Sequence, residues 1–492
     1  MKQLSRRRAA FAIGTRALPL ILLAAAAGCS DGSGGGSPSV SAAFVEEWSQ
    51  IAVDASGLDH VPTNQIQPHT FGHQAGPCRA SRAMAIVHVS MFEALNALRG
   101  GYDSLVGLPA FDGDANARAA VAQAARDALV ALFPSQAYIF DDHLADTLAT
   151  INDGVVEDNG IVVGQAAAAA VLANRATDGS GHPELLVNTQ YICDDDPGYW
   201  RQDPVSQHPL ALGAQWGEVV TPWRLAAADQ FQCPPPPTMD SFEYAIAYAE
   251  VLALGGDGVN TPTVRSEEQT FIGIYWAYDG MPSLCAPPRL YNQIAYQIAQ
   301  QQGTTDGYEF ARLLALINVA MCDAGIASWE SKWHHEFWRP ITGIREADAG
   351  TGPVGGSQLG DQNPLTAGVA DWTPLGAPAS NTVGPNFTPP FPAYPSGHAT
   401  FGGALFQTLR RYYGTDDIAF TFVSDEYNGV TLDNEGIVRP YIPRTFVDFS
   451  QAEEENGQSR MYLGIHWAFD KTGGITQGRQ VANWVYNTTY VD

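Results

Sequence analysis

Apolar residues recur at steps of three and four along most of the chain, which is the spacing of an amphipathic helix. The clearest case is residues 82–98, where Met84, Val87, Met91, Leu95 and Leu98 share one face. The same pattern predicts further helices at residues 115–132, 136–151, 160–176, 241–254, 266–278, 290–302, 308–333, 398–413, 450–463 and 473–485.

Two long stretches interrupt this pattern. Residues 178–240 and 350–395 have little apolar periodicity and many turn-forming residues, and a loop of such length inside a compact domain usually serves function. Strand signals are few, and those at residues 421–423 and 430–432 predict a small hairpin. We therefore expect an all-α protein of two adjacent helical bundles, residues 45–240 and 241–492, with long loops and few short strands.

The first residues predict an export signal. Arg6, Arg7 and Arg8 precede an apolar run at residues 17–27 that is too short to span a bilayer comfortably. Gly28 and Cys29 end this run and resemble a bacterial lipoprotein cleavage site, and an ordinary signal peptide cut nearby is the alternative. We expect a signal peptide at residues 1–29, a flexible linker at residues 30–44, and a periplasmic, cell-envelope or secreted protein that meets the membrane only through a lipid on Cys29.

The chain is strongly acidic. It has 26 basic and 52 acidic side chains and a formal net charge of −26, so its surface repels nucleic acid and anionic membranes. No cysteine or histidine spacing suggests zinc. Five cysteines follow Cys29, so at least one is unpaired within the chain, and Cys322 is the expected buried free thiol. Because cations are scarce, the three segments that combine them with histidine stand out.

The first segment is KWHHEFWRP, residues 332–340. On a continuous helix, Lys332 and Arg339 would project from one face two turns apart, and Pro340 would end or redirect the helix. Two cations on one face repel each other unless an anion lies between them. A solvated basic face is the alternative, although Trp333 and Trp338 indicate partial burial.

The second segment is YPSGHA, residues 394–399. A Pro-Ser-Gly entry suits a helix N-terminus, where free backbone N–H groups and the helix dipole attract anions. Ser396 offers a hydroxyl donor, Gly397 lets the backbone approach a ligand, and His398 is titratable. A simple helix cap is the alternative role for Ser396.

The third segment is SRMYLGIHWAFD, residues 459–470. Arg460 and His466 lie near two helical turns apart, and Asp470 follows His466 by four residues. A carboxylate in that position can accept the Nδ1 proton of His466 and leave Nε2 free to ligate or attack. A purely structural histidine is the alternative.

Together the three segments describe a site for a tetrahedral oxyanion such as phosphate or vanadate. Lys332, Arg339 and Arg460 supply about three positive charges, and the second segment supplies neutral donors. His466 would provide an apical nitrogen, and His398 a proton donor or acceptor on the opposite side.

The order Lys-x6-Arg-Pro, Pro-Ser-Gly-His and Ser-Arg-x5-His-x3-Asp resembles the superfamily that joins type 2 phosphatidic-acid phosphatases to vanadium haloperoxidases. The run FPAYPSGHATFGGA at residues 391–404 and the long gaps between the motifs are similar to the chloroperoxidase branch. The resemblance covers about residues 45–490. It implies a vanadate cofactor, with no haem and no flavin.

The resemblance also implies roles for the matching residues. His466 would be the axial vanadium ligand, His398 the acid–base residue, and Lys332 the group that polarises bound peroxide. The residues that would hold the vanadate oxygens are Lys332, Arg339, Ser396, Gly397 and Arg460.

Four further positions would surround this set. Asp279, in YWAYDG at residues 275–280, would pair with Arg460, with a simple helix-terminal turn as the alternative. Asp470 would support the axial histidine, and Trp329 and Phe391 would line the halide side.

The implied function is oxidation of chloride or bromide by hydrogen peroxide to hypohalous acid, which halogenates small organic acceptors, without redox change at vanadium. One alternative is a secreted acid phosphatase that uses the same pocket, with His466 as nucleophile and His398 as general acid. Another is an exported oxyanion-binding lipoprotein without turnover, which explains the cations but not the two histidines.

Overall fold

The computed structural model of the chain describes residues 39–62 and 70–491. The predicted signal peptide, Cys29 and the predicted linker up to residue 38 lie outside the described residues. Helix α1 (Ala42–Asp59) begins at Ala42, inside the last residues of the predicted linker, because the Ser41 side chain accepts a hydrogen bond from Phe44 N and caps the helix.

About half of the described residues are helical, and the described part of the chain includes two two-stranded antiparallel sheets. Helices α2–α7 are Pro77–Arg99, Ala117–Leu132, Ala137–Leu148, Val155–Arg175, Trp216–Val219 and Phe242–Leu254. Helices α8–α14 are Glu267–Tyr275, Pro287–Gln301, Gly307–His335, Pro340–Arg345, Gly397–Tyr413, Phe449–Tyr462 and Ala468–Thr488. Strands β1–β4 are Leu185–Leu186, Leu210–Ala211, Phe420–Asn428 and Tyr441–Phe446. This confirms the predicted all-α class with few short strands.

Helix α10 lies at the centre of the hydrophobic core. Its most apolar window is 94% buried, and it packs against α2, α12 and α14. Both α5 and α10 are long and apolar enough to cross a membrane by length and composition, but the burial of α10 is that of a core helix. Helix α2 belongs to the first predicted bundle and α10 to the second, and the boundary at residue 240 stays a prediction.

The predicted helical continuity between Lys332 and Arg339 is wrong. Helix α10 ends at His335, and Glu336 adopts a left-handed conformation (φ 46°) while its N–H donates to Lys332 O. Arg339 instead precedes the short helix α11, which Pro340 opens. The two cations therefore reach the same region from different elements rather than from one helical face.

The predicted hairpin is also wrong in its second strand. Strand β3 pairs with β4, not with residues 430–432. The reason is local, because the Asn428 side chain accepts from the N–H groups of Val430 and Thr431 and forms a turn there. Leu432 then makes only an isolated bridge to Val438.

Helices α12 and α14 approach each other through glycine. A Cβ atom on Gly474 would lie 2.6 Å from Ser396 O, and one on Gly478 would lie 2.1 Å from Thr400 O. Only glycine permits such backbone contact. This contact fixes the start of α12 against α14, and so the second segment against the third.

We expect Gly478→Ala to lower the free energy of unfolding by about 1–2 kcal/mol. An added methyl group gains about 1 kcal/mol in helix propensity, but so close a contact with Thr400 O forces the two helices apart at a cost of about 2–3 kcal/mol, the upper part of the range for overpacking. Urea unfolding measures the change, with Gln480→Ala on the exposed face of α14 as the control. A Gly478→Ala protein as stable as the wild type would show that the contact does not fix the two helices.

Candidate active site

The structure brings the three segments together, and the second and third of them line one cavity of about 70 Å³. Lys332 comes from the last turn of α10, and Arg339 from the turn before α11. His398 lies in the first turn of α12, Arg460 near the end of α13, and His466 in the turn before α14. All five side chains are buried.

Lys332 is held by backbone carbonyl groups. Its Nζ donates to Pro392 O (2.9 Å), to Ala393 O (3.1 Å) and to Pro395 O. Burial, together with the charge of Arg339, keeps the pKa of Lys332 well below its usual range. The ammonium group thus fixes the loop that leads into α12.

Arg339 connects the loop before α12 to the third segment. Its Nε donates to Phe391 O (2.8 Å), and its Nη1 donates to Ile465 O (2.7 Å) and His466 Nε2 (2.9 Å). Its Nη2 is buried and has no hydrogen-bond partner among the described residues. Burial lowers the pKa of Arg339 to about 9.

Arg460 is paired on one side only. Its Nη2 donates to both oxygens of Asp279, at 2.7 and 3.0 Å, whereas its Nε and Nη1 find no partner in the described structure. Burial raises the pKa of Asp279, although Arg460 opposes that shift. The Asp279 contact is the one that the YWAYDG resemblance implied.

The geometry fixes the tautomer of His466. Its Nδ1 lies 2.7 Å from Asp470 Oδ2, and this carboxylate also accepts from Trp467 N (2.9 Å). Because a guanidinium group can only donate, His466 Nε2 must accept from Arg339, so Nδ1 carries the proton. Burial and the neighbouring cations keep the pKa of His466 well below its usual range, so Nε2 presents a lone pair to the site.

The start of α12 forms the opposite wall. Ser396 Oγ accepts from Ala399 N (3.4 Å), so the hydroxyl caps the helix, and Gly397 packs against the ring of Trp329. His398 Nε2 lies 2.5 Å from Ala277 O and 4.0 Å from Asp279 Oδ1. Burial and the charge of Arg460 keep the pKa of His398 well below its usual range.

The net result is an excess of buried positive charge. Three cationic side chains face two carboxylates, Asp279 and Asp470, and three guanidinium nitrogens on Arg339 and Arg460 lack partners. Buried donors and charges are costly unless they are paired. The described residues contain no group of three His, Cys, Asp or Glu side chains able to hold a metal cation by themselves. The donor set fits an oxyanion with a nitrogen ligand at one apex.

An apolar wall completes the cavity. Trp329 and Phe391 lie with ring centroids 4.9 Å apart, and the Lys332 ammonium lies 5.2 Å from the Phe391 centroid. Sequence reasoning did not identify the rest of this wall, which consists of Leu212, Phe387, Pro389, Pro390, Ala286 and Pro287. It also missed the carbonyl groups that hold Lys332, since backbone acceptors leave no side-chain signal, although the PPFPAYP run at residues 389–395 marked their location.

Comparison with known sequences is consistent with this geometry. Residues 312–491 match the family model described as the VCPO second helical-bundle domain. The vanadium chloroperoxidase of Curvularia inaequalis is 43% identical to the chain in an alignment of 263 residues that covers 47% of this chain and 41% of that protein. The chain is thus similar in sequence to members of the vanadium haloperoxidase family. The aligned region spans less than half the length of this curated relative.

Solved structures of vanadium-dependent haloperoxidases share the fold. A bacterial vanadium-dependent iodoperoxidase matches with a TM-score of 0.70 at 23% identity, covering 92% of this chain and 97% of that one. The apo-type bacterial vanadium-dependent chloroperoxidase matches with a TM-score of 0.62 at 17% identity, covering 86% and 96% of the two chains. At these identities the likeness establishes the helical haloperoxidase fold.

We expect inorganic phosphate to stabilise the protein, because it would neutralise the buried cations. When the phosphate concentration is about 100 times its Kd, the free energy of unfolding rises by about 2.7 kcal/mol. The rise in Tm should be absent in Arg460→Met and present in Arg410→Met, whose guanidinium pairs with Asp416 and Glu453 elsewhere. Equal phosphate-dependent shifts in both variants would contradict binding at this site.

Proposed function

We propose that the chain is a vanadate-dependent haloperoxidase that oxidises chloride or bromide with hydrogen peroxide to hypohalous acid. The observation that supports this most is the deprotonated Nε2 of His466, which lies beside buried guanidinium groups, those of Arg339 and Arg460, that keep unpaired donors. Vanadate bonded to one imidazole nitrogen is a stable five-coordinate ground state, whereas phosphate reaches that geometry only transiently.

The site residues fit this cofactor. Lys332, Arg339 and Arg460, with Ser396 and Gly397, would hold the vanadate oxygens. His466 Nε2 would bind the vanadium atom. Bound vanadate supplies a Lewis acid that activates hydrogen peroxide without a change in its own oxidation state.

The protein side of the mechanism is proton handling and charge stabilisation. His398 is kept neutral by burial and by Arg460, so it can accept a proton from incoming peroxide and return it later. Asp470 keeps His466 in the Nδ1-protonated tautomer. Lys332 and Arg339 stabilise negative charge that develops on oxygen in a water-poor cavity.

The apolar wall is the proposed halide side. A large, weakly hydrated anion loses less free energy of hydration on leaving water than a small one does. The cations beside Phe391 also attract such an anion. Trp329 and Phe391 would therefore favour halide over hydroxide. Small organic acceptors would react with the hypohalous acid produced.

The acid-phosphatase alternative uses the same residues, and no observation favours it. The sequence relative and the two solved structures compared above are haloperoxidases. Cleavage of a phosphomonoester is therefore one of the outcomes that the following experiment distinguishes.

Bromination of a dye with hydrogen peroxide and bromide, measured with and without orthovanadate, tests the function. The assay is then repeated with chloride in place of bromide. We expect activity only with orthovanadate, and at least about a hundredfold loss in His466→Ala, because the vanadium ligand is removed. His335→Ala is the control, since this imidazole bonds to Cys233 O and lies outside the cavity lining. Cleavage of a phosphomonoester without any bromination would contradict the haloperoxidase proposal and support the phosphatase alternative.

We also propose that the chain is exported and carries a lipid on Cys29, supported by the basic and apolar pattern of residues 6–29. Expression in a bacterial host with labelled palmitate should label the wild type and Cys193→Ser but not Cys29→Ser. Label that persists in Cys29→Ser would exclude lipidation at this residue.

A further inference from the structure

Two buried side chains from different helices meet at the main-chain carbonyl group of His398. Tyr291 lies on α9, and its hydroxyl group donates to His398 O at 2.9 Å. Asn456 lies on α13, and its Nδ2 also donates to His398 O at 2.9 Å. Both side chains are fully buried. The first turn of α12 is therefore tied to α9 and to α13 at this one carbonyl group.

The two side chains also contact each other. Tyr291 Oη lies 3.0 Å from Asn456 Oδ1, so the hydroxyl proton is shared between two acceptors while the amide nitrogen donates to His398 O. Gly402, one turn after His398, makes room for this amide, because a Cβ atom at Gly402 would lie 2.3 Å from Asn456 Nδ2. We call Tyr291, Asn456 and His398 O the carbonyl cluster.

The imidazole ring of His398 is held by a different carbonyl group. His398 Nε2 lies 2.5 Å from Ala277 O. A carbonyl oxygen can only accept a hydrogen bond, so Nε2 carries the proton of the neutral ring and Nδ1 keeps its lone pair. Because His398 also lines the cavity, the position of Nδ1 depends on how both the ring and the main chain are held.

Asn456 connects His398 to the helix that carries Arg460. Arg460 follows Asn456 by four residues on α13, so the two side chains share one face of that helix. Arg460 pairs with Asp279 and keeps two unpaired guanidinium nitrogens. One turn of α13 thus holds the main chain of His398 through Asn456 and supplies buried donors through Arg460.

We propose that Tyr291 and Asn456 are positioning residues for His398, which fix its main chain against the helix that carries Arg460. In the proposed reaction His398 accepts a proton from hydrogen peroxide, and this transfer requires the two groups to lie within hydrogen-bond distance. Loss of either side chain would let the first turn of α12 shift and would lengthen that distance. The inference rests on the proposed function in one respect, the role of His398 as proton acceptor.

The rate at which the His398 Nε2 proton exchanges with solvent tests this without vanadate and without turnover. The rate is measured by NMR on protein with isotopically labelled histidine, and His398→Gln assigns the signal. We expect exchange to be about fivefold faster in Tyr291→Phe and Asn456→Ala, since each loses a buried hydrogen bond that opposes local opening. His88 is the internal reference, because its Nδ1 donates to Met84 O at 2.8 Å in the core and should keep the wild-type rate.

The effect on turnover should be largest in the step that His398 serves. We expect kcat/KM for hydrogen peroxide to fall by about ten- to a hundredfold in Tyr291→Phe, since displacement of a catalytic group by about 1 Å costs about a hundredfold. The Kd for orthovanadate, measured by calorimetry without peroxide, should rise by less than kcat/KM falls, because the three buried cations are unchanged.

Tyr296→Phe is the matched control. Tyr296 is buried on the same helix, but it packs against Phe310 in the core, with ring centroids 6.3 Å apart. We expect this variant to keep the wild-type exchange rate at His398 and the wild-type kcat/KM for hydrogen peroxide.

Gly402→Ala displaces the Asn456 amide without changing either positioning residue. The added Cβ atom would lie too close to Asn456 Nδ2, and this amide is the end of a side chain that can rotate away, so the variant should fold. We expect it to reproduce the faster exchange and the lower kcat/KM of Asn456→Ala. It takes the place of Asn456→Ala if that variant does not fold.

Wild-type exchange of the His398 proton in both Tyr291→Phe and Gly402→Ala would overturn the inference. So would a rise in the Kd for orthovanadate as large as the fall in kcat/KM, because a general disturbance of the site would then explain both. The exchange measurement is independent of turnover. A wild type that binds orthovanadate but oxidises no halide would therefore remove the proposed function, while the exchange rates still decide whether the carbonyl cluster holds His398.

Discussion

Lys332, Arg339 and Arg460 are buried in one site, although like charges repel strongly where water is excluded. Much of the surrounding structure offsets that repulsion. Backbone carbonyls surround the Lys332 ammonium, Asp279 takes one edge of Arg460, and Asp470 lies behind His466. Three guanidinium nitrogens of Arg339 and Arg460 still lack a partner among the described residues. A bound anion would therefore neutralise the remaining buried positive charge and stabilise the fold, which links the stability of the protein to anion binding.

The placement of these charges depends on how the helices meet. Helix α10 delivers Lys332 from the core, and the break at Glu336 returns the chain so that Arg339 lies over His466. The glycine contacts between α12 and α14 hold the start of one helix against the other. The proline-rich segment before α12 supplies both carbonyl acceptors for Lys332 and the apolar wall with Phe391. One loop thus contributes both to the electrostatics of the site and to the apolar wall of the cavity.

The spacing of apolar residues predicted the helices, because a helix that buries one face places apolar residues at steps of three and four. The three motifs predicted which side chains meet. What the sequence could not predict depends on backbone geometry. The helix break between Lys332 and Arg339 requires a left-handed Glu336, a residue with no strong preference for that conformation. The true partner of β3 follows from a side-chain turn at Asn428. The acceptors around Lys332 and the Ala277 carbonyl near His398 are backbone atoms that any residue could supply.

The central claim is that the buried cations and His466 Nε2 form one oxyanion site. Anomalous diffraction at the vanadium absorption edge, from crystals soaked in orthovanadate, tests it most directly. The account predicts a single strong peak at bonding distance from His466 Nε2, with oxygens directed to Arg339 and Arg460. A peak elsewhere on the protein, or none at concentrations that saturate binding in solution, would contradict it.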